Sequence, residues 1–139
     1  MPPVKAVLDT NVIVSALLKD GGREALLVDL ALSGGFTPVV SKVLLEEYEE
    51  VLRRPGFGFN PTRITRSLRA IRDTAIIVQP QKELHVTRDP DDNKVLECVL
   101  EGGAQYVVTG NARHFPKEFQ RIRILPPRLF LVILAAHLE

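Results

Sequence analysis

The sequence holds one cysteine, no tryptophan and only two tyrosines in 139 residues, and each scarcity closes a route. Cys98 alone forms no internal disulfide and anchors no thiolate zinc site, so a reducing, cytoplasmic setting is expected. No apolar run reaches the roughly 20 residues that a transmembrane helix needs. The longest near the end, Leu129 to Leu138, is too short, and the Leu138-Glu139 pair fits a cloning remnant equally well. The opening apolar stretch is interrupted by Asp9 and Asn11 and lacks a small-residue cleavage signature, so no signal peptide and no membrane association are expected. Charge of one sign is also missing. Eighteen basic and seventeen acidic residues leave a net charge of +1, so any nucleic-acid contact must come from a local basic surface. There is no Walker loop, no GxGxxG fingerprint after the first strand and no GxSxG elbow, which removes the commonest nucleotide-binding and serine-hydrolase readings.

What is present is ordinary globular composition, 45% hydrophobic and 25% charged, enough for one domain over residues 1–139. The patterning alternates. Val4–Leu8 reads as a strand, followed by helical spacing through Val12, Ile13, Ala16 and Leu17. Arg23–Ser33 is a helix stopped by Gly34-Gly35, and Phe36–Val40 a buried strand. Ser41 is an N-cap for the helix through LLEEYEEVLRR, and Pro61–Asp73 is a basic amphipathic helix. Ala75–Val78, Tyr106–Thr109 and Ile122–Leu125 complete five strands, with a helix in DDNKVLECVL and another after Pro126-Pro127. Such alternation predicts an α/β fold, a mostly parallel sheet of about five strands covered on both faces in three layers.

In such sheets ligands gather beyond the carboxyl ends of strands. Asp9-Thr10-Asn11, Ser41 and Thr109-Gly110-Asn111 stand there, although each alone also reads as a cap or a turn. Helical periodicity adds to this. Glu47 lies three and four residues from Leu44 and Val51 on the apolar stripe, while Glu46, Glu49 and Glu50 sit further round, toward Arg53 and Arg54. Asp92 falls in line with Val95, Leu96 and Val99, and Asp91 a step off. Were Asp9, Glu47 and Asp92 ionised about 5 Å apart, each pair would repel by roughly 3 kcal/mol at an effective dielectric of about 20. They must therefore take up protons or bind a cation. All-oxygen donors suit Mg²⁺ or Mn²⁺, whereas zinc recruits His or Cys, and His85 and His114 are not spaced as a ligand pair. A carboxylate-bound divalent ion fits phosphodiester hydrolysis without a covalent nucleophile.

VLDTNVIVSAL, SKVLLEEYEEVL and RDPDDNKVLECVLEGGAQYVVTGN together resemble the PIN domain in order and spacing over nearly the whole chain, nearest to small stand-alone prokaryotic members regarded as toxin components of toxin–antitoxin systems. The resemblance implies a Mg²⁺- or Mn²⁺-dependent endoribonuclease with Asp9, Glu47 and Asp92 as metal ligands and catalytic acids, often a homodimer neutralised by a protein antitoxin. It places Asn11, Ser15 and Thr109 in supporting positions. It departs at Asn111, where many PIN nucleases carry a further Asp, and at His114, where a later acid is often found. Asn111 is still counted among the catalytic residues, assisting through a carbonyl oxygen offered to metal or water, but it brings no charge. The alternative that this departure raises is a catalytically degenerate PIN module that binds RNA or a protein partner without cutting. A DNA nuclease is a third reading, since nothing identifies a reader of the 2′-hydroxyl. Arg113, beside the proposed site, is the first candidate for RNA contact, ahead of Arg88 and of the Arg63, Arg66 and Arg69 series. Leu26, Leu27 and Leu30 belong either to the core or to a dimer interface.

Overall fold

The structure, a computed structural model, describes residues 3–137, so the Leu138-Glu139 pair lies outside the described residues. Its elements run β1 (Lys5–Leu8), α1 (Thr10–Leu18), α2 (Arg23–Ser33), β2 (Thr37–Ser41), α3 (Lys42–Leu52), α4 (Pro61–Thr74), β3 (Ile76–Val78), α5 (Pro90–Glu101), β4 (Tyr106–Val108), β5 (Glu118–Phe119), β6 (Ile122–Leu125) and α6 (Pro127–His137). Most boundaries have a local cause. Asp9, Ser41, Asn60 and Asp89 cap α1, α3, α4 and α5 through their side chains, and proline opens α4 and α5, where its missing N–H costs nothing. Gly34, in the left-handed conformation at φ 89°, ends α2.

The strands form one mostly parallel sheet in the order β3-β2-β1-β4-β6-β5, with helices on both faces. It has six strands and not about five, because Glu118–Phe119 adds an antiparallel edge to β6. Two residues are too few to show alternation, so the pattern carried no signal for them. The inner strands are sealed on both sides: Ala6, Val7, Val39, Val107 and Val108 have no solvent exposure. Continuous Val-rich runs of this kind are what a doubly covered parallel sheet demands. Phe130 of α6 closes one end of the core, meeting Phe36 edge-on at 5.0 Å between ring centres. Leu27 is core, whereas Leu26 is 49% exposed.

The strand order has a functional consequence. From β1 the chain moves outward through β2 to β3, then returns to the other side of β1 with β4. The reversal places a topological switch point between β1 and β4, where connections leave in opposite directions and open a crevice at the strand ends. α5 packs against β1, β2 and β4 and so lies across the centre of the sheet. Its C-cap glycine, Gly102, is needed for close approach: a Cβ there would stand 2.4 Å from Val39 Cγ1.

Candidate active site

Asp9 follows β1 directly, at the switch point, and its two carboxylate oxygens are used differently. Oδ1 accepts from Thr10 N at 2.8 Å, the capping contact. Oδ2 accepts from Thr109 Oγ1 at 2.8 Å and Asn11 Nδ2 at 3.3 Å. Both readings of Asp9 therefore hold: it is a helix cap, and it faces the crevice. Thr109, fully buried, directly follows β4 and donates its N–H to Leu125 O at 3.1 Å, which ties the crevice to β6 as well. Asn11 Oδ1 accepts from Gly110 N at 2.9 Å, and Thr109 Oγ1 accepts from Asn111 N at 3.0 Å. The two strand ends are thus stitched by side chains, and Asp9, Asn11, Thr109 and Asn111 form one hydrogen-bonded group.

Glu47 is half-buried on α3 and accepts a hydrogen bond from the hydroxyl of Thr10. The next residue, the buried Tyr48, donates its hydroxyl to Leu8 O, so α3 is anchored to the end of β1 beside Asp9. The apolar stripe is as the spacing implies, with Leu44, Tyr48 and Leu52 buried, while Glu49 and Glu50 pair with Arg53 and Arg54 at the surface. Asp92 is half-buried in the first turn of α5 and Asp91 is exposed. Ser41 caps α3 through Leu44 N at 3.1 Å, the plainer of its two readings. Ser15 lies half-buried further along α1, with no side-chain hydrogen bond among the described residues. Asn111 and Arg113 are exposed.

The carboxyl groups act on one another. Burial pushes the Asp9 carboxyl above its ordinary range, against the hydrogen bonds from Thr109, Thr10 and Asn11, with Asp89 adding repulsion. Burial likewise raises Glu47, opposed by the Thr10 hydroxyl and reinforced by Asp91, Asp9 and Asp89. Asp92 is pushed up to about 6 by burial and then by Asp89 and Asp9, with His114 pulling the other way. Asp9 repels both Glu47 and Asp92, and Asp89 acts on all three. None of the three carboxylates forms an ion pair among the described residues. Nor, among those residues, do three His, Cys, Asp or Glu side chains come together closely enough to hold one ion unaided.

Two members of this neighbourhood are invisible to periodicity. Thr10 reads in sequence as a capping residue, and its bond to Glu47 depends on how α3 crosses α1. Asp89 reads as loop before α5, yet its charge reaches Asp9, Glu47 and Asp92 while its Oδ1 caps Asp91 N at 2.9 Å. The run of acids from Asp89 to Asp92 was the available signal.

Residues 5–113 match the family model described as "PIN domain". The chain belongs to the PIN-domain family. An uncharacterized protein of Methanocaldococcus jannaschii is 31% identical over 111 residues, 78% of this PIN chain and 71% of the relative. Among solved structures the PIN chain resembles PAE2754 from Pyrobaculum aerophilum, with a TM-score of 0.63, 14% identity and coverage of 96% of this chain and 90% of that one. It also resembles VapBC2 from Rickettsia felis, crystallised with a DNA fragment from its promoter, with a TM-score of 0.60, 15% identity and coverage of 88% and 98%. At those identities the likeness is one of fold. PIN domains are generally nucleases that use divalent metal ions. Among the described residues of this PIN domain, no helix is long and apolar enough to cross a membrane.

Proposed function

We propose that this PIN domain is a Mg²⁺- or Mn²⁺-dependent endoribonuclease, the toxin of a toxin–antitoxin pair. One observation carries the reading most: at the switch point, Asp9, Glu47 and Asp92 are all driven toward their neutral forms, and no cation pairs with any of them among the described residues. A bound divalent ion is the compensation that chemistry offers.

The donors fit such an ion in kind, being oxygen and anionic. The soft alternative is weak, because burial pushes the Cys98 thiol up to about 12 and keeps it protonated. The open arrangement suits Mg²⁺, which keeps several of its own waters, so that water would complete the shell. Asp9, Glu47 and Asp92 would hold the ion, with the Asn111 carbonyl at the exposed mouth assisting; when bound, it activates water and stabilises charge on the phosphate. The chain's own groups prepare this. Thr109 and Asn11 fix the Asp9 carboxylate, Thr10 orients Glu47, and Arg113 draws the RNA backbone toward the mouth.

The resemblance in fold to VapBC2 supports an antitoxin protein as partner, and the exposed Leu26 is available to a homodimer contact. Calorimetric titration with Mn²⁺ and Mg²⁺ beside a fluorescent RNA-cleavage assay, on wild type and Asp92→Asn, tests the reading. Joint loss of binding and cleavage in the variant supports it, and a wild type that binds no metal removes it. A non-cutting PIN module is favoured by one feature, the uncharged Asn111, whose N–H serves Thr109. Asn111→Asp separates the two, since it awakens a silent module and is not needed by an active nuclease. Competition between RNA and DNA settles the polymer.

A further inference from the structure

A cleft of about 530 Å³ opens beside the acidic cluster and shares Asp92 with it. One wall is the segment Val86-Thr87-Arg88, and the other is the turn holding His114 and Pro116. The first wall is fixed. Asn93, buried beside Asp92, accepts from Thr87 N at 2.8 Å and donates to Thr87 O at 3.2 Å, as a neighbouring strand would. Thr87 Oγ1 also donates to Asp89 O at 2.9 Å. A segment with no regular pairing of its own is thereby held in place over Asp92.

What this fixed wall presents is specific. Val86 is 44% exposed although it stands in a cleft. Arg88 is exposed and makes no ion pair among the described residues. Asp89 uses one carboxylate oxygen as the cap of α5, and His114 faces Asp92 from across the cleft. An apolar ledge, a free guanidinium and an imidazole beside an acidic centre match the parts of one nucleotide: a base face and a phosphate.

We propose that this cleft is a nucleotide subsite for single-stranded nucleic acid, in which Arg88 and His114 hold the phosphate next to the one at the acidic cluster and the base lies against Val86 and Pro116. Its placement relative to the cut rests on the nuclease reading. The occupancy of the cleft does not.

The test uses the full chain and a fluorescein-labelled oligouridylate, with its deoxy counterpart, in EDTA so that nothing is cut. Arg88→Ala is expected to weaken binding about tenfold and to lower the slope of log affinity against log salt by about 1. Mn²⁺ affinity should stay at the wild-type value, because Arg88 is no metal ligand. Amide shifts on adding the oligonucleotide should centre on residues 86–88 and 112–115. Equal loss with RNA and DNA fits a site that reads phosphate and base. Wild-type affinity in Arg88→Ala, or shifts that centre on the separate concavity lined by Arg66 and Arg69, overturns the subsite. Cleavage that persists in Arg88→Ala with unchanged affinity leaves the nuclease standing and removes the cleft. Binding that depends on Arg88, in a wild type that cuts nothing with Mn²⁺, does the reverse.

Discussion

Replacing Asp92 by asparagine should stabilise the metal-free protein while disarming it. Asp92 has a folded value of about 6 against 3.8 when unperturbed, so the native state holds its proton more tightly than the unfolded chain does. The stability linked to that proton is fully present below 3.8 and is lost as the pH rises through about 6. Asp9 and Glu47, also raised, act in the same direction. After allowance for the solvent screening of a half-buried carboxylate, relief at Asp92 is worth about 1 kcal/mol at pH 7.5. In a domain of this length that corresponds to a rise in Tm of about 3 °C. Thermal melts in EDTA should show Asp92→Asn above wild type at pH 7.5 and the gap closing toward pH 4. Saturating Mn²⁺ should reverse the order, since an ion at about 100 times its Kd stabilises the wild type by about 2.7 kcal/mol. If Asp92→Asn melts at or below wild type in EDTA at pH 7.5, burial and the neighbouring acids do not strain the Asp92 carboxylate and the electrostatic case for a cation fails.

Tyr48→Phe strips the buried donor from Leu8 O and should cost about 1–3 kcal/mol in urea unfolding. Thr109→Val removes the 2.8 Å bond to Asp9, so the Asp9 carboxyl should rise further and calorimetry should find weaker Mn²⁺ binding with the fold retained. Gly102→Ala sets a methyl 2.4 Å from Val39 Cγ1 and should cost about 1–3 kcal/mol by overpacking, read as a lowered urea midpoint. Asn93→Ala frees Thr87 from both hydrogen bonds to the Asn93 amide, and amide exchange should quicken at residues 86–88 while the strands keep their protection.

Much of this was legible in the residues alone because burial leaves a period behind. Val-rich runs gave the sealed strands, and the stripes of α3 and α5 singled out Glu47 and Asp92 from their acidic neighbours. Asp9 and Thr109 were found by position, as polar residues just beyond strands. Other features have no period to read. β5 is two residues long, and the Thr10–Glu47 bond is set by the crossing of two helices. Asn93 lies on the buried side of α5, where asparagine would ordinarily be excluded, and only the path of the 86–89 loop gives it partners. The reach of Asp89 to all three carboxyl groups likewise depends on the loop's path, which no pattern encodes.

The hydrogen bond from Thr109 to Asp9 joins residues 100 positions apart, and β1 lies between β2 and β4 in the sheet. During synthesis Asp9 and Glu47 leave the ribosome early, but the strand that completes the crevice is among the last to emerge. Such distant pairing is also slow to form once the chain is free, because the intervening loop must be closed first. A truncated product ending just before β4 would carry all three acids without the partner that orients the first. Such fragments lack the Thr109 hydroxyl and, on the proposed nuclease reading, the orientation of Asp9 that the site requires.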